Sequence, residues 1–164
     1  MDQFSKDIIR RQFGAAITTM ENAIKACPDD LWGKESDWFA FWYSASHCLF
    51  WLDYYLTPDR KDYIPPAPFG LEELDPAGVL PPRVYTKDEL LTYLNHGRKK
   101  CNETIRNMSD ELAAKQYKFG QFDISFAELL LYNLRHVQHH AAQLNLLLRQ
   151  QCDIGSKWVI STAD

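Results

Sequence analysis

A chain of 164 residues is long enough to bury one sizeable core, and it is expected to form a single domain over 1–164. Apolar residues make up 46% and charged residues 24%, and the net charge of -4 is spread without a basic stripe, so nucleic acid is not an expected partner. The first thirty residues carry charges throughout, and no uncharged apolar run reaches about 18 residues, so neither a secretory leader nor a membrane span is expected.

Cys27, Cys48, Cys101 and Cys152 lie far apart with no CxxC pair. That usage reads as reduced, mostly buried thiols in a cytoplasmic protein. The aromatic content of 13%, with five tryptophans, is high, and aromatics dominate cores and pockets.

Along the chain, residues 4–26 read as a helix, with Ile9, Phe13, Ala16, Ile17, Met20 and Ile24 recurring at three- and four-residue spacing. Pro28-Asp29-Asp30 should end it. A second helix is expected over 36–56, capped by Ser36 or Asp37. Trp38, Trp42, Ala45, Leu49, Leu52 and Leu56 form its core face, while the opposite face carries Tyr43, His47, Phe50, Trp51 and Tyr54. A helix that is apolar all round is buried on both sides, so His47 should face an interior or an aromatic pocket.

Residues 57–85 hold seven of the eight prolines and form a long loop of the kind that is usually functional or wraps a surface. Thr86 and Glu89 form a capping box at the start of a third helix over 86–107, with Leu90, Leu91, Leu94, Cys101 and Ile105 as its stripe. Residues 109–115 add a helical turn, and 116–124 alternate as a short extended loop. Ser125 and Glu128 repeat the capping box before a last long helix over 125–151, striped by Phe126, Leu130, Val137, Leu144 and Leu148. The tail around Lys157-Trp158-Val159-Ile160 is expected to pack as a short extended segment. The sum is an all-α four-helix bundle with a long loop between its second and third helices.

Three of the five histidines fall within five residues of the last helix, in Arg135-His136-Val137-Gln138-His139-His140. At about 100° per residue, His136 and His140 share one flank of the apolar stripe with Asn133, and His139 turns toward the rim. Residues one turn apart hold their Cβ atoms about 5–6 Å apart. Imidazoles so placed can converge to roughly 2.0–2.1 Å from a zinc-like ion. His47 is the natural third donor, because a neutral ring on an otherwise apolar helix needs a hydrogen-bond partner or a metal. Three imidazoles leave a position open, the catalytic rather than the structural pattern, and an ion held this way can activate a water or a thiol.

The pattern has plainer readings as well. A His-x-x-x-His pair is often a pair of satisfied interface histidines, and His139 and His96 read as surface residues. Tyr43, Trp51 and Asn133 lie one turn from His47 or His136; they either line a pocket or simply pack. The zincin motif is absent, since Val137 follows His136, so no catalytic residue and no general base is named by the sequence.

Taken together, His47 in its Trp42–Trp51 aromatic context, the long loop after it, and His136-x-x-x-His140 followed by Ala142-Gln143-Leu144 resemble the DinB/YfiT family of metalloenzymes. The resemblance covers nearly the whole chain, with Ala142 where glycine is frequent. It implies an up-down-down-up bundle in which His47, His136 and His140 hold a divalent ion, commonly nickel or zinc. It further implies a homodimer acting on a small molecule. Some relatives are S-transferases or isomerases using a low-molecular-weight thiol such as bacillithiol or mycothiol, and others resemble metal-dependent hydrolases. Two further alternatives stay open: a non-catalytic, stress-related helical module that binds a small ligand or partner, and a structural metal site.

Overall fold

The computed structural model describes residues 1–34, 40–120 and 122–162. The described chain is mostly helical. Helix α1 spans Gln3–Ala26, α2 Asp29–Trp32, α3 Phe41–Tyr55, α4 Lys87–Arg106, α5 Asp110–Ala114 and α6 Phe126–Cys152. Strands β1 (Gln116–Phe119) and β2 (Phe122–Ser125) form an antiparallel hairpin, with Gln116 opposite Ser125 and Phe119 opposite Phe122.

The helix boundaries follow from local chemistry. Asp2 caps α1 by accepting from the Ser5 amide. Both capping boxes form: Thr86 and Glu89 exchange bonds at the head of α4, and Ser125 and Glu128 do so at the head of α6. Helix α6 stops where Asp153 turns left-handed and its amide bonds back to the Leu148 carbonyl.

Two expectations need correction, the start of α3 and the form of 116–124, and two gain detail. Pro28 ends α1 but also begins the short α2, because its fixed φ suits the position preceding a first helical turn. Helix α3 begins at Phe41, capped by Ala40 without a side-chain bond, and the expected caps Ser36 and Asp37, with Trp38, lie outside the described residues. The stretch after α5 is a paired hairpin rather than a single extended loop, turning at Gly120, whose φ of 53° favours glycine. The tail lies along α1 through Gln12 Nε2 donating to the Ile160 carbonyl and the Thr162 amide donating to the Arg11 carbonyl, while Trp158 and Ile160 point outward.

Helix α1 packs on α4 and α6, and α3 packs on the same two partners. The enclosed core takes Phe13, Ile17, Met20 and Ile24 from α1, and Trp42, Leu49 and Leu52 from α3. Leu90, Leu94 and Ile105 come from α4, and Phe126, Leu130, Val137, Leu144 and Leu148 from α6. No helix is long and apolar enough to cross a membrane among the described residues. The four cysteines are free thiols; Cys27, Cys48 and Cys101 are buried, and burial raises all three above their ordinary range.

Between α3 and α4 the long loop runs from Thr57 to Tyr85, broken by one 3-10 turn at Glu72–Leu74. It is fastened at several points. Tyr63 Oη donates 2.8 Å to the buried carboxylate of Asp53 on α3. Phe69 stacks on Tyr93 of α4 with centroids 4.3 Å apart. Trp32 Nε1 donates 2.9 Å to the Tyr85 carbonyl.

Candidate metal centre

Because α3 and α6 pack directly, their histidines meet. The ring centroids of His47 and His136 are 5.5 Å apart, those of His47 and His140 4.9 Å, and those of His136 and His140 4.5 Å. One ring nitrogen from each of the three lies within 4.8 Å of one from each of the others. The His-x-x-x-His spacing stacks two of the rings on one flank of α6, as 3.6-residue periodicity requires. The third comes from α3, on the face that also carries Tyr43 and Trp51.

The electrostatics of this cluster favour neutral rings. Burial, aided by the neighbouring imidazoles, pushes His136 down to about 3 and His140 down to about 4. Neutral imidazole keeps a lone pair, the form that binds a metal. The Nδ1 atoms of His136 and His140 are buried and have no hydrogen-bond partner. Buried polar atoms are nearly always satisfied, so two orphans in one cluster mark a place where a ligand is expected. The donor set fits: imidazoles suit zinc, nickel, copper and iron, and three of them leave room for a further ligand.

A residue that the sequence did not single out completes the cluster. Glu73, in the 3-10 turn of the long loop, accepts from three donors on α3. Tyr43 Oη reaches its Oε1 at 2.8 Å, and His47 Nδ1 and Trp51 Nε1 reach its Oε2 at 2.7 and 3.0 Å. Burial alone would raise the Glu73 carboxyl, but these bonds outweigh it and hold the group below its ordinary value. It is therefore ionised and accepts only, so His47 carries a proton on Nδ1, and Nε2 is the nitrogen left to offer a lone pair when the ring is neutral. The only sequence trace of Glu73 is an acidic pair, Glu72-Glu73, in a proline-rich loop, and a loop offers no periodicity from which to infer what it meets.

The other singled-out residues fall as follows. Tyr43 and Trp51 commit polar atoms to Glu73. Asn133 is fully buried and its Nδ2 donates 3.0 Å to the Leu52 carbonyl, so it braces α6 against α3. His139 is exposed, its centroid 5.2 Å from that of His140 and outside the three-ring group. His96 is on the surface but not idle, with Nε2 3.3 Å from Asp53 Oδ1. Cys48 is fully buried and does not join the histidines. A broad cleft of about 530 Å³ runs along the outer side of α6, lined by Tyr132, Leu134, Arg135, His136, Gln138, His139 and Ala142; it meets the cluster at His136.

A mostly helical fold that brings three imidazoles together from two packed helices defines a candidate divalent-metal protein. The sequence model of the DinB superfamily matches residues 12–144, which include all three histidines and the loop, and the chain belongs to that superfamily. Comparison with curated proteins and with solved structures yields no match.

Proposed function

We propose that the chain holds a divalent metal ion, nickel or zinc, through His47, His136 and His140, and that it is a metal-dependent enzyme acting on a small molecule, by thiol S-transfer or by hydrolysis. The observation that carries this is the pair of buried, unpartnered Nδ1 atoms beside a third imidazole whose tautomer is already set. When bound, the ion supplies Lewis acidity toward a water or a low-molecular-weight thiol. The chain's own contribution is to keep His136 and His140 neutral by burial, to hold a His47 proton on Nδ1 against Glu73, and to line the approach through the cleft at His136. The same reading takes the chain as one cytoplasmic domain, its helices as an up-down-down-up bundle, and its working form as a homodimer. The mutual packing of α1 and α3 on α4 and α6 supports the bundle order.

Elemental analysis of protein purified without a histidine tag tests it. About one metal per chain is expected in wild type and in His139→Ala, and loss in His140→Ala. Equal, sub-stoichiometric metal in wild type and His140→Ala would sink the reading. Turnover of an electrophile only when a small thiol is present selects the transferase over the hydrolase.

One observation favours a second reading, a non-catalytic module that binds a small ligand or partner. The carboxylate at the cluster is already engaged by three donors, which leaves it unsuited to act as a general base. On that reading His47→Ala would leave ligand binding intact while metal is lost.

A further inference from the structure

Residues 43, 47 and 51 follow one another at four-residue intervals, so a single face of α3 presents a phenol, an imidazole and an indole in a row. All three polar atoms converge on one carboxylate that comes from the loop. Glu73 is the sole loop side chain among these bonds, and its own side chain is 12% exposed. Both of its oxygens are engaged from α3, and the central bond is the shortest of the three. A metal-ligating histidine characteristically donates its other N–H to a carboxylate, which fixes ring orientation and raises ligand basicity. Here that carboxylate sits on a segment with only a three-residue 3-10 turn of regular structure.

We infer that Glu73 is a positioning residue that latches the 57–85 loop onto the metal centre through His47, so that metal binding and seating of the loop strengthen one another. This rests on the three-histidine metal reading. The geometry gives the coupling its direction: with Glu73 seated, His47 Nε2 is turned away from the loop carboxylate and left for the ion. With Glu73 withdrawn, the ring is free to rotate and to exchange its proton between nitrogens. By thermodynamic reciprocity an ion that holds His47 also favours the seated loop. The neighbouring Phe69 and Tyr85, which pack together at 4.7 Å, lie within the segment so held.

The test uses the full, untagged chain with Ni²⁺ and Co²⁺ as probes. Glu73→Ala should weaken Ni²⁺ affinity by about 10- to 100-fold and shift the visible absorption bands of bound Co²⁺. Glu73→Gln, whose amide oxygen still accepts from His47 Nδ1, should recover most of both. In hydrogen exchange, peptides spanning 69–76 should be slowed by Ni²⁺ in wild type and left unchanged in Glu73→Ala. A Glu73→Ala protein with wild-type affinity and a superimposable Co²⁺ spectrum overturns the inference, as does loop exchange indifferent to Ni²⁺ in wild type. If Glu73→Ala does not fold, Trp51→Phe serves instead. It removes one latch bond and leaves His47 in place, so 69–76 should exchange faster than in wild type; equal rates overturn the inference. The two readings separate cleanly: Ni²⁺ lost in His140→Ala but untouched in every Glu73 variant leaves the metal site standing and removes the latch. A wild-type chain that takes up neither ion removes both.

Discussion

Nδ2 of Asn133 donates to the backbone carbonyl of Leu52 across 3.0 Å, tying α6 to α3 one turn ahead of His136. The bond lies in a fully buried setting, and the Asn133 Oδ1 has no partner. Asn133→Ala should therefore destabilise the fold by about 1–3 kcal/mol, through the lost bond and the space left behind. Asn133→Leu removes the orphaned oxygen and keeps the volume, so it should cost less than alanine. Urea unfolding midpoints rank the two, and the reverse order would show that leucine does not fit the space the amide fills.

His136 and His140 make the metal-free protein acid-sensitive. Their folded values, about 3 and about 4, lie below the ordinary 6.5, so between these limits the unfolded chain binds more protons. The resulting stability is fully present above about pH 6.5 and is lost as pH falls toward 4 and below. The slope for the more enclosed His136 is on the order of 1 kcal/mol per pH unit, with a smaller addition from His140. Chelator-treated protein should show urea midpoints rising from pH 5 to pH 7, and His136→Asn should flatten that rise. A flat wild-type profile would contradict the burial argument.

Asp53 is 1% exposed and sits at a hub of donors. Tyr63 Oη donates at 2.8 Å and Tyr93 Oη at 3.3 Å, and Lys100 Nζ pairs with its Oδ1. Removing the carboxylate strands a cation and two phenols in a poorly solvated place. Asp53→Ala is expected to cost about 3–5 kcal/mol, and Tyr63→Phe about 1 kcal/mol. Thermal unfolding at neutral pH distinguishes them, and near-equal melting temperatures would show the hub to be dispensable.

Gly97 lets α4 lie close against Leu52 of α3. A Cβ there would stand 2.8 Å from Leu52 Cδ2 and 3.3 Å from its Cγ. Alanine gains about 1 kcal/mol of helix propensity but overfills the contact at about 1–3 kcal/mol. The balance should be a net loss of about 1 kcal/mol, relieved when Leu52→Val is added. Non-additive unfolding free energies in the double-mutant cycle would register the contact.

The parts of this molecule readable from its residues are those governed by short-range periodicity. Both capping boxes were legible because Thr86-Glu89 and Ser125-Glu128 need only three-residue spacing. The pairing of His136 with His140 followed from one helical turn, and His47 from a histidine on an apolar face. What escaped depends on contacts distant in sequence. Glu73 meets His47 across 26 positions of sequence, and nothing within the intervening loop encodes a register. Asn133 shared a flank with His136, yet only packing decides whether such a residue lines a pocket or reaches a neighbouring backbone, and it does the latter. The tail packs as an extended segment, as expected, but only the structure shows that its backbone and small polar side chains, rather than Trp158 or Ile160, hold it to α1.

The arrangement of the cysteines also makes the protein easy to instrument. Three sulphurs are sealed in the core with their thiols held protonated, while Cys152, half-buried, closes α6. A maleimide fluorophore or nitroxide applied to the native chain therefore attaches at one place. That place is twelve residues beyond His140 on the same rigid rod, roughly 18 Å away along its axis. A paramagnetic or quenching ion bound by the histidines would be read at a known distance, without a single engineered residue.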